Sequence, residues 1–221
     1  MMSIVATLYQ RWLGQCDGAS VSLEKQQKEW EALLSAYTQP HRAYHNLHHI
    51  HALFRDLSQF STAEVSESVQ WAIWYHDIVY DPHAGDNEEQ SADWAVTTLQ
   101  SWGLSSSLQK EVRRLILATQ SHQAEADDHN ACLLLDLDLG ILGTSSERYA
   151  EYARAIREEY RWVPRPLYAQ GRQKVLDSFL SLKTLYNTPV IRQQREQRGQ
   201  ENLRWERALW EEEGFDFAER E

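Results

Sequence analysis

Four of the eight residues in "YHNLHHIH" (44–51) are histidine, in a chain that holds nine. A second segment, "WYHDIVYDP" (74–82), sets His76 directly against Asp77 inside an apolar run. A third, "LLLDLDLGILG", carries Asp136 and Asp138 among leucines. An ionised carboxylate in apolar surroundings loses its hydration, so each of these aspartates needs a partner. A divalent cation is one solution; a salt bridge or a helix cap is the other. Imidazole and carboxylate donors without thiols suit Mn, Fe, Zn, Co or Mg.

Spacing divides the histidines. Read as one helix over about 42–60, the first segment places His45 and His49 on one face, with Cβ atoms ~5–6 Å apart. His48 lies about 100° away around that helix, and His51 points elsewhere. By itself such a pair is a wet, histidine-rich surface; the His76–Asp77 doublet is what raises metal chemistry.

The elements that must position these residues read as helices nearly throughout. "SLEKQQKEWEALLSAY" places Trp30, Leu33, Leu34 and Tyr37 on one stripe. The next helix buries Leu47, Ile50, Phe54 and Leu57. Ser61 with Glu64 has capping-box spacing and opens a helix running to His76. Asp86 with Glu89 repeats that spacing, and Gly103 suits the stop. Further helices are expected over about 106–120, after a Thr144–Glu147 cap, from Pro166 to near Tyr186, and from "NTP" to Gly214. No stretch alternates like a strand. The whole of 1–221 reads as one domain, with a motif core of about 40–145 and C-terminal helices over about 145–221.

The totals limit function. Against 33 acidic residues stand 22 Lys and Arg, a formal charge of −11, which repels phosphate backbones and argues against general nucleic-acid binding. Cys16 and Cys132 lie far apart and fit reduced thiols, hence a cytoplasmic protein. The N-terminal stretch lacks a signal-peptide pattern, and no run approaches the ~18–20 apolar residues of a membrane span. Nine tryptophans are expected mostly in the core.

The three segments together resemble a known family. His45-Asn46-Leu47-His48-His49 is similar to the HNxxH motif of cyclic-nucleotide phosphodiesterases. His76-Asp77 resembles the doublet of the HD superfamily of metal-dependent phosphohydrolases, and "LDLG" (137–140) resembles the segment that supplies their distant Asp. The likeness covers about residues 40–145 and is strongest to an uncharacterised bacterial branch of predicted HD phosphohydrolases. It implies an all-α HD-domain helical bundle with a C-terminal helical extension, and a divalent metal held by His49, His76, Asp77 and Asp138. Asp136 is the alternative to Asp138 as last ligand; otherwise it is a cap or an acceptor for a ligating His.

The resemblance also makes His45 a general acid and Glu88 the group that orients water, while Glu89 keeps its capping role. His122 matches an additional His of two-metal relatives, or else contacts substrate phosphate. Asn87 stands where several two-metal relatives have a His, which favours one strongly bound metal. Arg172, with Arg42, Arg165 and Lys174, is a candidate phosphate partner, and singly each is also a plain salt bridge. The implied reaction is hydrolysis of a phosphomonoester or phosphoanhydride of a nucleotide or other small phosphorylated compound. A non-catalytic metal- and nucleotide-binding sensor is the alternative, and a structural protein with a fortuitous His cluster a third reading. Self-association stays open.

Overall fold

The computed structural model describes residues 3–61, 65–212 and 215–217. Among these the chain is all-α, with ten α-helices and one 3-10 turn, and no strand. None of the helices is long and apolar enough to cross a membrane. Two compact units divide the chain, Met1–Leu134 and Leu135–Glu221.

The first unit holds α1 (Ile4–Gly18), α2 (Leu23–Tyr37), α3 (Leu47–Phe60), α4 (Glu67–Tyr75), α5 (Asn87–Ser101) and α6 (Ser106–Ala118). The last helix before the boundary, α7 (His129–Asp138), runs across it. At the centre is α4, buried from Ser68 to Tyr75 at all but Gln70. Its Trp71 and Trp74 meet Trp12 of α1 edge-on at 5.7 and 5.5 Å, and Trp30 of α2 reaches Trp74 at 6.3 Å. Phe54 of α3 closes the cluster at 4.6 Å from Trp74. Edge-to-face contacts between such large rings add specificity to the area they bury. The polar tips are satisfied: Trp12 Nε1 donates to the Gln26 carbonyl at 3.0 Å, and Tyr37 Oη donates to the Trp74 carbonyl at 2.8 Å. Helix α4 is thus fixed in place by indoles along most of its length, and it ends on His76.

Several boundaries differ from the sequence reading, each for a local reason. Helix α3 starts at Leu47, because Asn46 takes the N-cap position and accepts from the His48 amide at 2.8 Å. His45 therefore lies in the turn before the helix. The expected Ser61–Glu64 capping box falls partly outside the described residues; α4 opens after Ser66. Asp86 stands at the N-cap of α5 but makes no side-chain cap bond. Gly103 follows α5 with φ +78°, where glycine has no Cβ to strain.

The second unit holds the 3-10 turn Leu139–Gly143, α8 (Ser146–Glu159), α9 (Arg165–Leu180) and α10 (Pro189–Leu209). Ser145 rather than Thr144 caps α8, and α9 stops six residues before Tyr186. The 3-10 turn lies hard against α10: a Cβ on Gly143 would stand 2.5 Å from that of Arg195, so no side chain fits there. Asp136 accepts from the Asn187 amide at 2.8 Å and from the Thr188 amide, and so caps the start of α10. Burial pushes the Asp136 carboxyl up, against the pull of these hydrogen bonds.

Arg172 of α9 is also a structural element. Its Nε and Nη2 donate to the Glu206 carboxylate at 2.7 and 2.9 Å. Tyr149 Oη and Trp210 Nε1 donate to the same carboxylate at 2.6 and 3.1 Å. Burial alone would raise the Glu206 pKa, but the Arg172 charge and these donors together hold it below the usual range. Such a depressed carboxylate adds stability that is complete above its unfolded value of about 4.3 and is lost as the pH falls through the folded value. Arg172→Met strands the Glu206 charge. It is expected to cost about 3–5 kcal/mol near neutral pH, read from urea denaturation. The gap to wild type should narrow as the pH falls toward about 4.3 and below, because burial without Arg172 raises Glu206 and lets the variant protonate it before an unfolded carboxylate would. An unchanged midpoint at neutral pH would contradict this reading of the pair.

Candidate metal centre

Two segments of the first unit meet at the end of α4. Helix α3 brings His49 from its first turn, buried among Leu47, Ile50 and Leu53. The C-cap position of α4 brings His76, and Asp77 follows where the chain leaves the helix. Adjacent side chains diverge on a regular helix; the turn after α4 is what lets both point to one place.

The three ligand atoms form a compact triangle. His49 Nε2 and His76 Nε2 are 3.2 Å apart. Asp77 Oδ2 lies 3.1 Å from His76 Nε2 and 3.5 Å from His49 Nε2. A divalent cation bound at about 2.0–2.2 Å by neighbouring donors separates them by roughly 3–3.5 Å. The donor set and its spacing therefore fit such an ion. The two imidazoles are buried, whereas the Asp77 side chain keeps 20% of its surface exposed, which leaves one edge of the group open to solvent.

Proton placement sharpens the case. His76 Nδ1 lies 3.1 Å from the Ile73 carbonyl, which can only accept, so Nδ1 carries the hydrogen. In its neutral form His76 then aims a lone pair from Nε2 at the other two ligand atoms. A hydrogen on His49 Nε2 can serve one of these contacts at a time, whereas a metal ion serves all three ligand atoms together. The outward N–H to a backbone carbonyl is also what fixes a metal-ligating imidazole in orientation. Burial raises the Asp77 carboxyl, but the neighbouring His76, with His45 and His49, outweighs it and holds the group well below the usual carboxylate range. Asp77 is thus ionised, as a ligand must be.

Around the triangle stands a shell of positioning contacts. Arg42, buried, donates from Nη1 to the His45 carbonyl at 3.1 Å and the Asp77 carbonyl at 2.6 Å, and from Nη2 to the Ile78 carbonyl at 2.8 Å. One guanidinium thereby ties the turn before α3 to the turn after α4. Its plane also lies over Tyr37 and Tyr80, at 5.2 and 5.5 Å. The phosphate role considered for Arg42 gives way to this clamp. Ser91 Oγ accepts from the Val79 amide at 3.1 Å. Asn87 accepts from the Asp81 amide at 3.0 Å and donates to the Asp81 carbonyl at 2.9 Å. Both lie on α5 and pin the loop that follows the doublet, which gives Asn87 a structural task.

His45 reaches the same neighbourhood from its turn, not by the helical spacing expected of it. Its ring stacks on Tyr80 at 4.2 Å and meets His49 edge-on at 6.0 Å. Glu88 sits half-buried in the first turn of α5, and His122 just beyond α6 in the left-handed region, at φ +51°. Neither belongs to the triangle. His48 turns toward the Asn46 cap, and His41 donates to the Tyr80 carbonyl at 2.9 Å. Asp138 ends α7 in the second unit, half-buried, where its charge is felt by Tyr152. Arg165 donates to the Phe215 and Glu212 carbonyls, and Lys174 is exposed.

No family model matches the chain, and no curated protein or solved structure matches it.

Protein loaded with Mn or Zn is expected to keep about one ion per chain through gel filtration, and His76→Ala to keep none. Acidification should release the ion, because protons compete for the imidazole nitrogens. Arg42→Met retains the stem and removes the three carbonyl contacts. Metal titration is expected to find its affinity about tenfold or more weaker, the usual loss for an outer partner. Equal affinity would remove Arg42 from the positioning of the ligands.

Proposed function

We propose that this protein is a metal-dependent phosphohydrolase of the HD type, acting on a phosphomonoester or phosphoanhydride of a nucleotide or other small phosphorylated compound. The single observation that carries the proposal is the convergence of His49, His76 and Asp77 within 3.5 Å of one another, in the order the HD motif requires. A divalent ion held there supplies Lewis acidity toward a phosphoryl oxygen and makes water a better nucleophile.

The chain's own residues then have separate tasks. His49 and His76 hold the ion with neutral imidazole, and Asp77 supplies the compensating negative charge from the open edge of the group. His45 donates a proton to the leaving oxygen, with its ring orientation set by the Tyr80 stack. Glu88, on the helix that pins the loop after the doublet, orients the attacking water. His122 is kept as a phosphate contact on the resemblance alone, and Asp138 belongs to the second unit. Arg172 plays no part, since its fork is closed on Glu206. The surface charge of −11 does not forbid an anionic substrate, because a bound cation dominates the field at the site.

Purified protein loaded in turn with Mn, Co, Mg and Zn is expected to release phosphate from at least one member of a panel of nucleotides and sugar phosphates. Asp77→Ala should abolish turnover with the fold retained. His45→Ala should keep the metal and lower kcat by about 10²-fold or more. An unchanged rate in Asp77→Ala would refute the mechanism. Metal uptake with a nucleotide-dependent thermal shift, and no product from any substrate, would favour the sensor instead.

A further inference from the structure

A groove of about 720 Å³ runs between α1 and the start of α4, within the first unit and away from the ligand triangle. Part of its floor is bare helix. A Cβ added to Gly14 or Gly18 would meet nothing within 4 Å. Two donors at this groove lack the acceptor their chemistry calls for.

The first is Arg11. Its guanidinium donates to Ser58 Oγ at 3.0 Å and lies 4.7 Å over the Phe54 ring. Among the described residues it has no carboxylate partner, in a chain whose net charge is −11. A guanidinium partly withdrawn from water is ordinarily paired. Burial lowers its pKa with nothing opposing. The second is Gln15. The Trp74 indole can only donate, and it donates to Gln15 Oε1 at 2.8 Å. That bond fixes which way the amide faces and turns Nε2 elsewhere, buried and without an acceptor. A buried N–H left unpaired is costly.

Both donors want an electron-rich oxygen, and the first wants it charged. Glu67 also lines the groove, but its Oε1 already accepts from Trp71 Nε1 at 2.9 Å. With Gln70 it offers polar contacts for the remainder of a ligand. We infer that the groove is a second binding site, for a small polar ligand that presents an oxyanion, phosphate or carboxylate, to Arg11, on the face of α1 that also carries Gln15.

Isothermal titration of inorganic phosphate and of acetate, at low ionic strength into protein stripped of metal and dialysed free of chelator, tests this without any contribution from a bound metal. Saturable heat is expected from at least one probe. Phosphate alone would mark a phosphorylated ligand, and acetate alone a carboxylate. Arg11→Met keeps the stem over Phe54 and is expected to weaken binding on the order of tenfold or more. Gly14→Leu fills the groove from a position with free space around it. It also replaces a poor helix former, so circular dichroism should find it folded while binding is lost. Asp77→Ala should bind as wild type does, which separates this site from the metal centre. Silence from both probes, or a Kd that either groove substitution leaves unchanged, overturns the inference.

Discussion

Two imidazole nitrogens and a carboxylate oxygen share a triangle of 3.1–3.5 Å, and something electropositive, an N–H hydrogen or a cation, must lie among them. The hydrogen on His76 Nδ1 is committed to the Ile73 carbonyl, so the neutral ring has only a lone pair to offer the group. A proton can relieve the repulsion by making His76 an imidazolium beside Asp77. A divalent cation relieves it for all three atoms together. The functional reading depends on the second solution, and the rest of the unit is organised so that the three atoms stay together.

That organisation is layered. The indoles of Trp12, Trp71, Trp74 and Trp30 hold α4, and α4 delivers His76. Asn46 starts α3 where His49 falls in the first turn. Arg42 then fastens the two turns to each other through carbonyl oxygens, and Ser91 and Asn87 pin the loop beyond the doublet. The contacts of Asn46, Arg42, Ser91 and Asn87 act on backbone rather than on the ligand atoms. The main chain that carries the three side chains is thereby held in place, which is the condition for a preorganised site.

What could be read in the sequence was mostly what a single residue's burial cost announces. Asp77 and Asp136 sit in apolar runs and had to find partners. Asp77 faces two imidazoles, and Asp136 caps a helix that begins some fifty residues later. The pattern showed the cost but not which remedy applied, since a cap partner so distant leaves no local mark. The core stripe of α3 was legible because Leu47, Ile50, Phe54 and Leu57 repeat at the helical period. The place of His45 was not, because Asn46 takes the N-cap and starts the helix at Leu47, two residues too late to include it. Arg42 escaped for a related reason: its acceptors are carbonyls, which every residue has. The number of tryptophans foretold a core rich in rings, while their pairing across α1, α2 and α4 depends on the fold. Arg172 read as a phosphate partner or a plain salt bridge; only Glu206, on another helix, shows that the bridge holds and that it is buried structure.

X-ray absorption spectroscopy on Mn- or Zn-loaded protein addresses the central claim most directly, because it counts the atoms around the ion. The expected first shell contains two imidazoles and at least one carboxylate oxygen at about 2.0–2.2 Å, with one imidazole missing in His49→Ala. A loaded sample whose shell holds no imidazole, or protein that takes up neither ion, would show that a proton and not a metal holds the triangle together.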